Sequence, residues 1–150
     1  MAITAGTWNL DPTHTEIGFA VRHIMSKVRG KFETFEGTVV TAEDLSASSV
    51  KVEVDLTSIN TGTADRDNHL RSADFFDAES YPHITFTTTA IEPAGRGAFR
   101  ITGDLAIRGT VRPVTFDAEV HGPAKNPFGK TVVAVSASGK INRKDFGLTW

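Results

Sequence analysis

Twelve consecutive residues, Arg66-Asp67-Asn68-His69-Leu70-Arg71-Ser72-Ala73-Asp74-Phe75-Phe76-Asp77, hold the densest chemistry in the chain: five charged groups, one histidine and two adjacent phenylalanines. Arg66, Asp67, Arg71 and Asp74 admit two readings. In the first they are catalytic, with Asp67 or His69 moving a proton. In the second, opposite charges this close pair with each other and pin short helical turns across one end of a sheet. With no cysteine and no Gly-x-Ser-x-Gly, the chain offers no nucleophile beside them, which favours the second. The same residues can still present a cation to an anionic headgroup.

The other chemistry-bearing groups are sparser. His14, His23, His69, His83 and His121 show no HxH or HExxH spacing, so no metal is expected. His14 and His23 are read as structural, His83 and His121 as surface residues, and His69 as the one beside a ligand. Neither Gly-x-x-x-x-Gly-Lys nor Gly-x-Gly-x-x-Gly occurs, so no nucleotide cofactor is expected. The stretch from Arg22 to Lys31 carries Arg22, Lys27, Arg29 and Lys31, with His23 and no acid. It reads either as an attractor for a pyrophosphate or an anionic membrane, or as an ordinary solvated turn. Sixteen Lys and Arg against 18 Asp and Glu give a net charge of −2, which argues against a nucleic-acid partner.

Strands must position these groups. Apolar residues alternate with polar ones almost end to end: Ile17, Phe19 and Val21, then Val50-Lys51-Val52-Glu53-Val54-Asp55-Leu56, then Ile84, Phe86 and Thr88. Phe99, Ile101, Leu105 and Ile107 follow, then Val114, Phe116, Ala118 and Val120, and last Val133, Val135, Ala137 and Ile141. One wet face per strand and short turns at Gly95-Arg96-Gly97 and Arg108-Gly109 predict an antiparallel sheet of about eight strands. Within such runs, Gly18, Gly37, Gly103 and Gly139 permit the bends that let a sheet curl into a barrel. Residues 63–78 are the exception. Thr63 is placed to cap a short helix and Ser72 a second turn, and the insert joins Leu56 to Ile84. Ten phenylalanines supply apolar area with no polar atom to satisfy. At 150 residues, one domain is expected. No stretch approaches the ~20 apolar residues of a membrane span, and the N-terminus lacks a basic region, so a cytoplasmic protein without stable membrane insertion is expected.

In order along the chain, six blocks resemble the YceI-like family of lipocalin-like polyisoprenoid-binding proteins. They are Trp8-Asn9-Leu10-Asp11-Pro12-Thr13-His14-Thr15; Phe19 to Met25 with Val28-Arg29-Gly30-Lys31-Phe32; and Ser58-Ile59-Asn60-Thr61 with Arg66 to Asp77. Tyr81-Pro82, Gly109-Thr110-Val111-Arg112-Pro113-Val114 and Asn142-Arg143-Lys144-Asp145-Phe146-Gly147-Leu148 complete the series. The resemblance implies an all-β, extended antiparallel barrel over residues 1–150, with a short helical insert at about 63–78. It also implies a binding protein, not an enzyme, that sequesters or transports an isoprenoid lipid such as a polyprenyl phosphate or quinone. Many members of the family are exported, and members run on past this block into a further strand. A C-terminal strand beyond Trp150 is therefore expected, with a homodimer as the other way to complete the barrel. On this reading Phe19, Val21, Phe32, Phe35, Leu70, Phe75, Phe76, Phe86 and Ile107 line the ligand, while His23, Arg29, Arg66, Asp67 and His69 meet its headgroup. Two rival readings are an enzyme acting on a prenyl or lipid substrate in the same cavity and a stress-linked interaction module.

Overall fold

The alternating runs become strands with one apolar face. A computed structural model describes residues 6–11, 13–23 and 26–148, with the side chains of 22, 23, 26 and 45 left aside. Seven strands form one antiparallel sheet in the order β1 (Gly6–Asn9), β4 (Phe35–Thr41), β5 (Ser49–Asp55), β7 (His83–Gly95), β8 (Ala98–Ile107), β9 (Thr110–Lys125) and β10 (Thr131–Ser138). A smaller sheet holds β2 (Ile17–His23), β3 (Ser26–Phe32) and the two-residue β6 (Ile59–Asn60). The large sheet curls into a half-barrel. The all-β, antiparallel, barrel-like fold expected from the sequence is present, with the described residues arranging it as ten strands in two sheets.

Register fixes what faces the trough. Phe86 lies between Val52 and Leu105, and Ile101 faces Phe116 across β8 and β9. The Phe86 and Phe116 rings meet edge to face at 5.2 Å. Phe86 lies so close over Gly103 that a Cβ there would come within 2.6 Å of its Cζ, so glycine makes room for the ring. In the last strand the alternation is legible only to Ala137: β10 ends at Ser138, and Ile141 is exposed beyond it.

One end of the half-barrel is plugged by segments that are not strands. β5 stops where the Asp55 carboxylate accepts from Thr57 N at 2.9 Å, starting a 3-10 turn over Leu56–Ser58. That turn takes Leu56 out of strand register and into the core, where it has no exposed surface. Around it pack Phe32, Ile59, Phe75, Phe76, Ile107, Phe146 and Leu148. Phe146 comes from a second 3-10 turn, Arg143–Phe146, which Asn142 caps by accepting from Lys144 N. The β8–β9 turn, Arg108-Gly109, has positive φ at both residues (52° and 75°), the mirror-type turn that matches strand twist. From this turn the Arg108 guanidinium donates to Gly147 O at 3.1 Å and Ala73 O at 3.0 Å.

The helical insert is α1 (Ala64–Arg71) followed by irregular turns. Thr63 precedes the helix as predicted, but its side chain makes no cap hydrogen bond. Ser72 does not cap a second helix either: its hydroxyl donates back to His69 O. The expected mutual ion pairs are also replaced. Asp67, only 8% exposed, accepts through Oδ1 from Thr61 N at 2.9 Å and from Thr61 Oγ1 at 2.5 Å. Arg66 donates to Thr61 Oγ1 and Thr61 O, both at 2.8 Å, and Arg71 donates to Thr57 O at 3.3 Å and Asn68 Oδ1 at 2.6 Å. One fact explains the difference: the short β6 leaves backbone groups at 57–61 that need partners, and the side chains of the insert meet them.

Asp67→Ala should therefore loosen the insert by leaving the Thr61 donors unmet, a loss of about 2 kcal/mol in urea denaturation. Asp67→Asn, which keeps an acceptor, should lose less. A second expectation concerns the β1–β2 connection, where the exposed Asp11 carboxylate accepts from His14, from the Thr13 hydroxyl and from Thr13 N. These bonds, His14's foremost, lower its pKa from 3.8 to about 2. The stabilisation is complete above 3.8 and is lost as pH falls through about 2. The stability gap between the wild type and Asp11→Asn should thus close across that window, and a carboxyl NMR titration should place Asp11 at its lower edge.

Candidate functional site

The apolar face of the half-barrel is graded along the strands. Near the plug it is packed, with Val54, Leu105 and Ile107 buried beneath Phe75 and Phe76. Farther along it is looser: Val52, Phe86, Val114 and Phe116 on the large sheet are only half-buried, before Ile91, Ala118 and Val120 near the β7–β8 hairpin are buried again. Ile17, Phe19, Val21 and Val28 on the small sheet are half-buried as well. Their alternate positions, Gly18, Ala20, Lys27, Arg29 and Lys31, are exposed. The result is a greasy trough with aromatic walls, Phe86–Phe116 on one sheet and Phe19–Phe32 (centroids 5.4 Å apart) on the other.

Most of the apolar residues expected to line a ligand come together here. Phe32, Phe75, Phe76 and Ile107 are buried in one cluster, and Phe19, Phe35, Leu70 and Phe86 pack against it. Val21 shares the face of Ile17 and Phe19. Phe75 and Phe76 both point inward although they are neighbours in sequence. An irregular turn makes this possible: Phe75 N and Asp77 N both reach Ser72 O, Phe76 N reaches Leu70 O, and the two rings stand at 84°. Ile107 and the Phe75–Phe76 pair belong to the packed plug, below the open part of the trough.

The polar candidates divide differently. Arg66 and Asp67 are engaged with Thr61, and His69 Nε2 lies 3.7 Å from Asp74 Oδ2 at the insert's surface. Arg29 stands on the outer face of β3, opposite Ala20, so it does not face the trough. The side chain of His23 lies outside the described residues. His14 is exposed beside Asp11, His83 is 3.2 Å from Glu53, and His121 is 3.6 Å from Glu119.

Several residues of the site were not singled out from the sequence. Val52, Leu105 and Val114 sit on the trough face, and alternation alone marked them. Leu56, Phe146 and Leu148 close its end; alternation marked Leu56, but no periodicity could place Phe146 and Leu148, which stand in a 3-10 turn or beside one. Two shallow depressions of about 450 and 410 Å³ lie elsewhere, around Arg96–Ala98 with Glu119–His121 and around Phe99–Arg100 with Asp117–Glu119. Neither is lined by a residue of the aromatic walls.

Comparison with known proteins agrees with this geometry. Protein YceI of Escherichia coli O157:H7 is 39% identical over 137 residues, covering 90% of this chain and 71% of that one. The crystal structure of a Campylobacter jejuni YceI protein superposes with a TM-score of 0.76 at 37% identity, over 93% of this chain and 82% of that one. A polyisoprenoid binding domain from Saccharophagus degradans, implicated in plant cell wall breakdown, shares the fold with a TM-score of 0.65 at 16% identity, over 97% and 83% of the two chains. The model of the YceI-like domain matches residues 8–150. The chain therefore belongs to the YceI-like family.

Proposed function

We propose that this protein binds an isoprenoid lipid, laying the tail along the trough between the Phe19–Phe32 and Phe86–Phe116 walls. One observation carries the reading: Ile17, Phe19 and Val21 on one sheet and Val52, Phe86, Val114 and Phe116 on the other are left half-buried, while the plugged end of the large sheet is fully packed. Such a surface gains free energy from any apolar chain laid on it, roughly 0.8 kcal/mol for each methylene removed from water. A few five-carbon units therefore offset the cost of ordering the tail. The polyisoprenoid binding domain of Saccharophagus degradans, named for its ligand, has the same fold and lends support.

Binding, and not catalysis, is the reading the polar groups support. Asp67, buried, already accepts two hydrogen bonds from Thr61 through Oδ1. With Arg66 similarly engaged and Arg29 on the outer face, the trough selects by tail, and a phosphate or quinone head would extend past the aromatic walls towards solvent. Sequestration or carriage of such a lipid follows from that arrangement.

The experiment is a tail-binding test on Phe86→Asp. A carboxylate in the aromatic wall must be desolvated against the tail or protonated, and affinity for a prenylquinone should fall on the order of a hundredfold. Arg29→Ala should leave prenylquinone affinity unchanged. The comparison requires that Phe86→Asp melt cooperatively. A folded Phe86→Asp protein with full affinity, or a wild type that binds neither prenylquinone nor polyprenyl phosphate, would overturn the reading.

A further inference from the structure

The β9–β10 hairpin outruns its neighbours. β8 pairs with β9 only from Ile107–Thr110 up to Ala98–Glu119, with one further bond from Val120 N to Gly97 O. Pairing with β10 continues to Lys125–Thr131. Residues 121–125 therefore project as a two-stranded ribbon, a reach of roughly 15 Å at strand rise. Since β9 starts beside the plug, the tip of this ribbon lies at the end of the sheet away from it.

The tip is built to hold one residue outward. Asn126 Oδ1 accepts from Phe128 N at 2.9 Å and Lys130 N at 3.0 Å, and Asn126 N donates to Lys130 O at 2.9 Å. Gly129 supplies the positive φ of 78°. Phe128 is left 87% exposed, the most exposed large apolar side chain among the described residues. On either side stand Lys125 and Lys130, exposed and in none of the ion pairs among the described residues. Residues 120–135 contain no Asp or Glu, in a chain whose net charge is −2.

We propose that this hairpin docks the protein on an anionic lipid bilayer, with Phe128 entering the boundary between headgroups and acyl chains and Lys125 and Lys130 on the phosphates. An aromatic wedge flanked by unpaired cations matches a surface that is apolar a few ångströms below a negative layer. A purely apolar partner would leave the lysines without a counter-charge, and a purely anionic one would leave Phe128 in water. This surface is separate from the trough and does not depend on which lipid the trough holds.

Co-sedimentation with isoprenoid-free vesicles tests it. Wild type should bind pure phosphatidylglycerol vesicles and not pure phosphatidylcholine vesicles. Each lysine near the surface is worth about fivefold, so Lys125→Gln with Lys130→Gln should lower affinity about 25-fold. Phe128→Ala should lower it about tenfold, without loss of prenylquinone affinity in detergent. Asn126 holds the backbone and not the ring of residue 128, so the turn survives this change. In a second measurement, Phe128→Trp should shift its fluorescence to the blue on phosphatidylglycerol vesicles. Val111→Trp, exposed at the plugged end, should not. Equal binding to the two vesicle types, no binding to either, full binding by Phe128→Ala, or the same blue shift from Val111→Trp would each overturn the proposal.

Discussion

Burial of the plug against the strand ends is the contact on which the rest of the structure depends. A curled sheet with one apolar face gains nothing from curling unless that face is covered, and here the cover is a handful of side chains from three separate segments. Leu56 and Ile59 come from the β5–β6 connection, Phe75 and Phe76 from the insert, and Phe146 and Leu148 from the C-terminal turn. Each such side chain contributes roughly 1.5–3 kcal/mol when fully buried. Fixing the curvature at one end lets the middle of the face stay half-buried without collapsing. The hydrogen bonds that Arg66 donates to Thr61 and Arg71 to Thr57, and that Asp67 accepts from Thr61, then hold the cover in place.

The half-buried middle of the apolar face, between the plug and the buried Ile91, Ala118 and Val120, is the physical basis of the binding reading. Had the aromatic walls been packed like the plug, a ligand would have to displace protein from protein. Had the whole face been open, so much exposed Phe and Val would favour aggregation. Glycine under Phe86 lets the wall ring lie flat against the sheet instead of standing across the trough.

How much of this was legible in the sequence depended on what kind of signal each part carries. The strand Val50 to Asp55 announced itself, because a half-buried strand has period two and its charged residues cannot face inward. Phe19 and Phe86 were found for the same reason. Residues 63–78 could be recognised as a break in that period, and Phe75 and Phe76 as anomalous neighbours. The partners of Arg66 and Arg71 could not, because backbone carbonyls at 57–61 have no side-chain signature. Arg29 was misplaced relative to the trough for a simpler reason: a local excess of cations says nothing about strand face, whereas its alternation with Val28 and Gly30 does.

The Arg108 guanidinium joins a hairpin turn, the end of the insert at Ala73 and the C-terminal turn at Gly147, segments 35 and 39 residues away from it in sequence. Carbonyls held by one side chain are released together when that side chain leaves. Amide hydrogens in the two segments would then exchange with solvent as one cooperative unit, although neither segment belongs to a sheet and nothing in the order of the strands links them. The plug would open as a whole and close as a whole, while the strands it covers keep their own, slower clock.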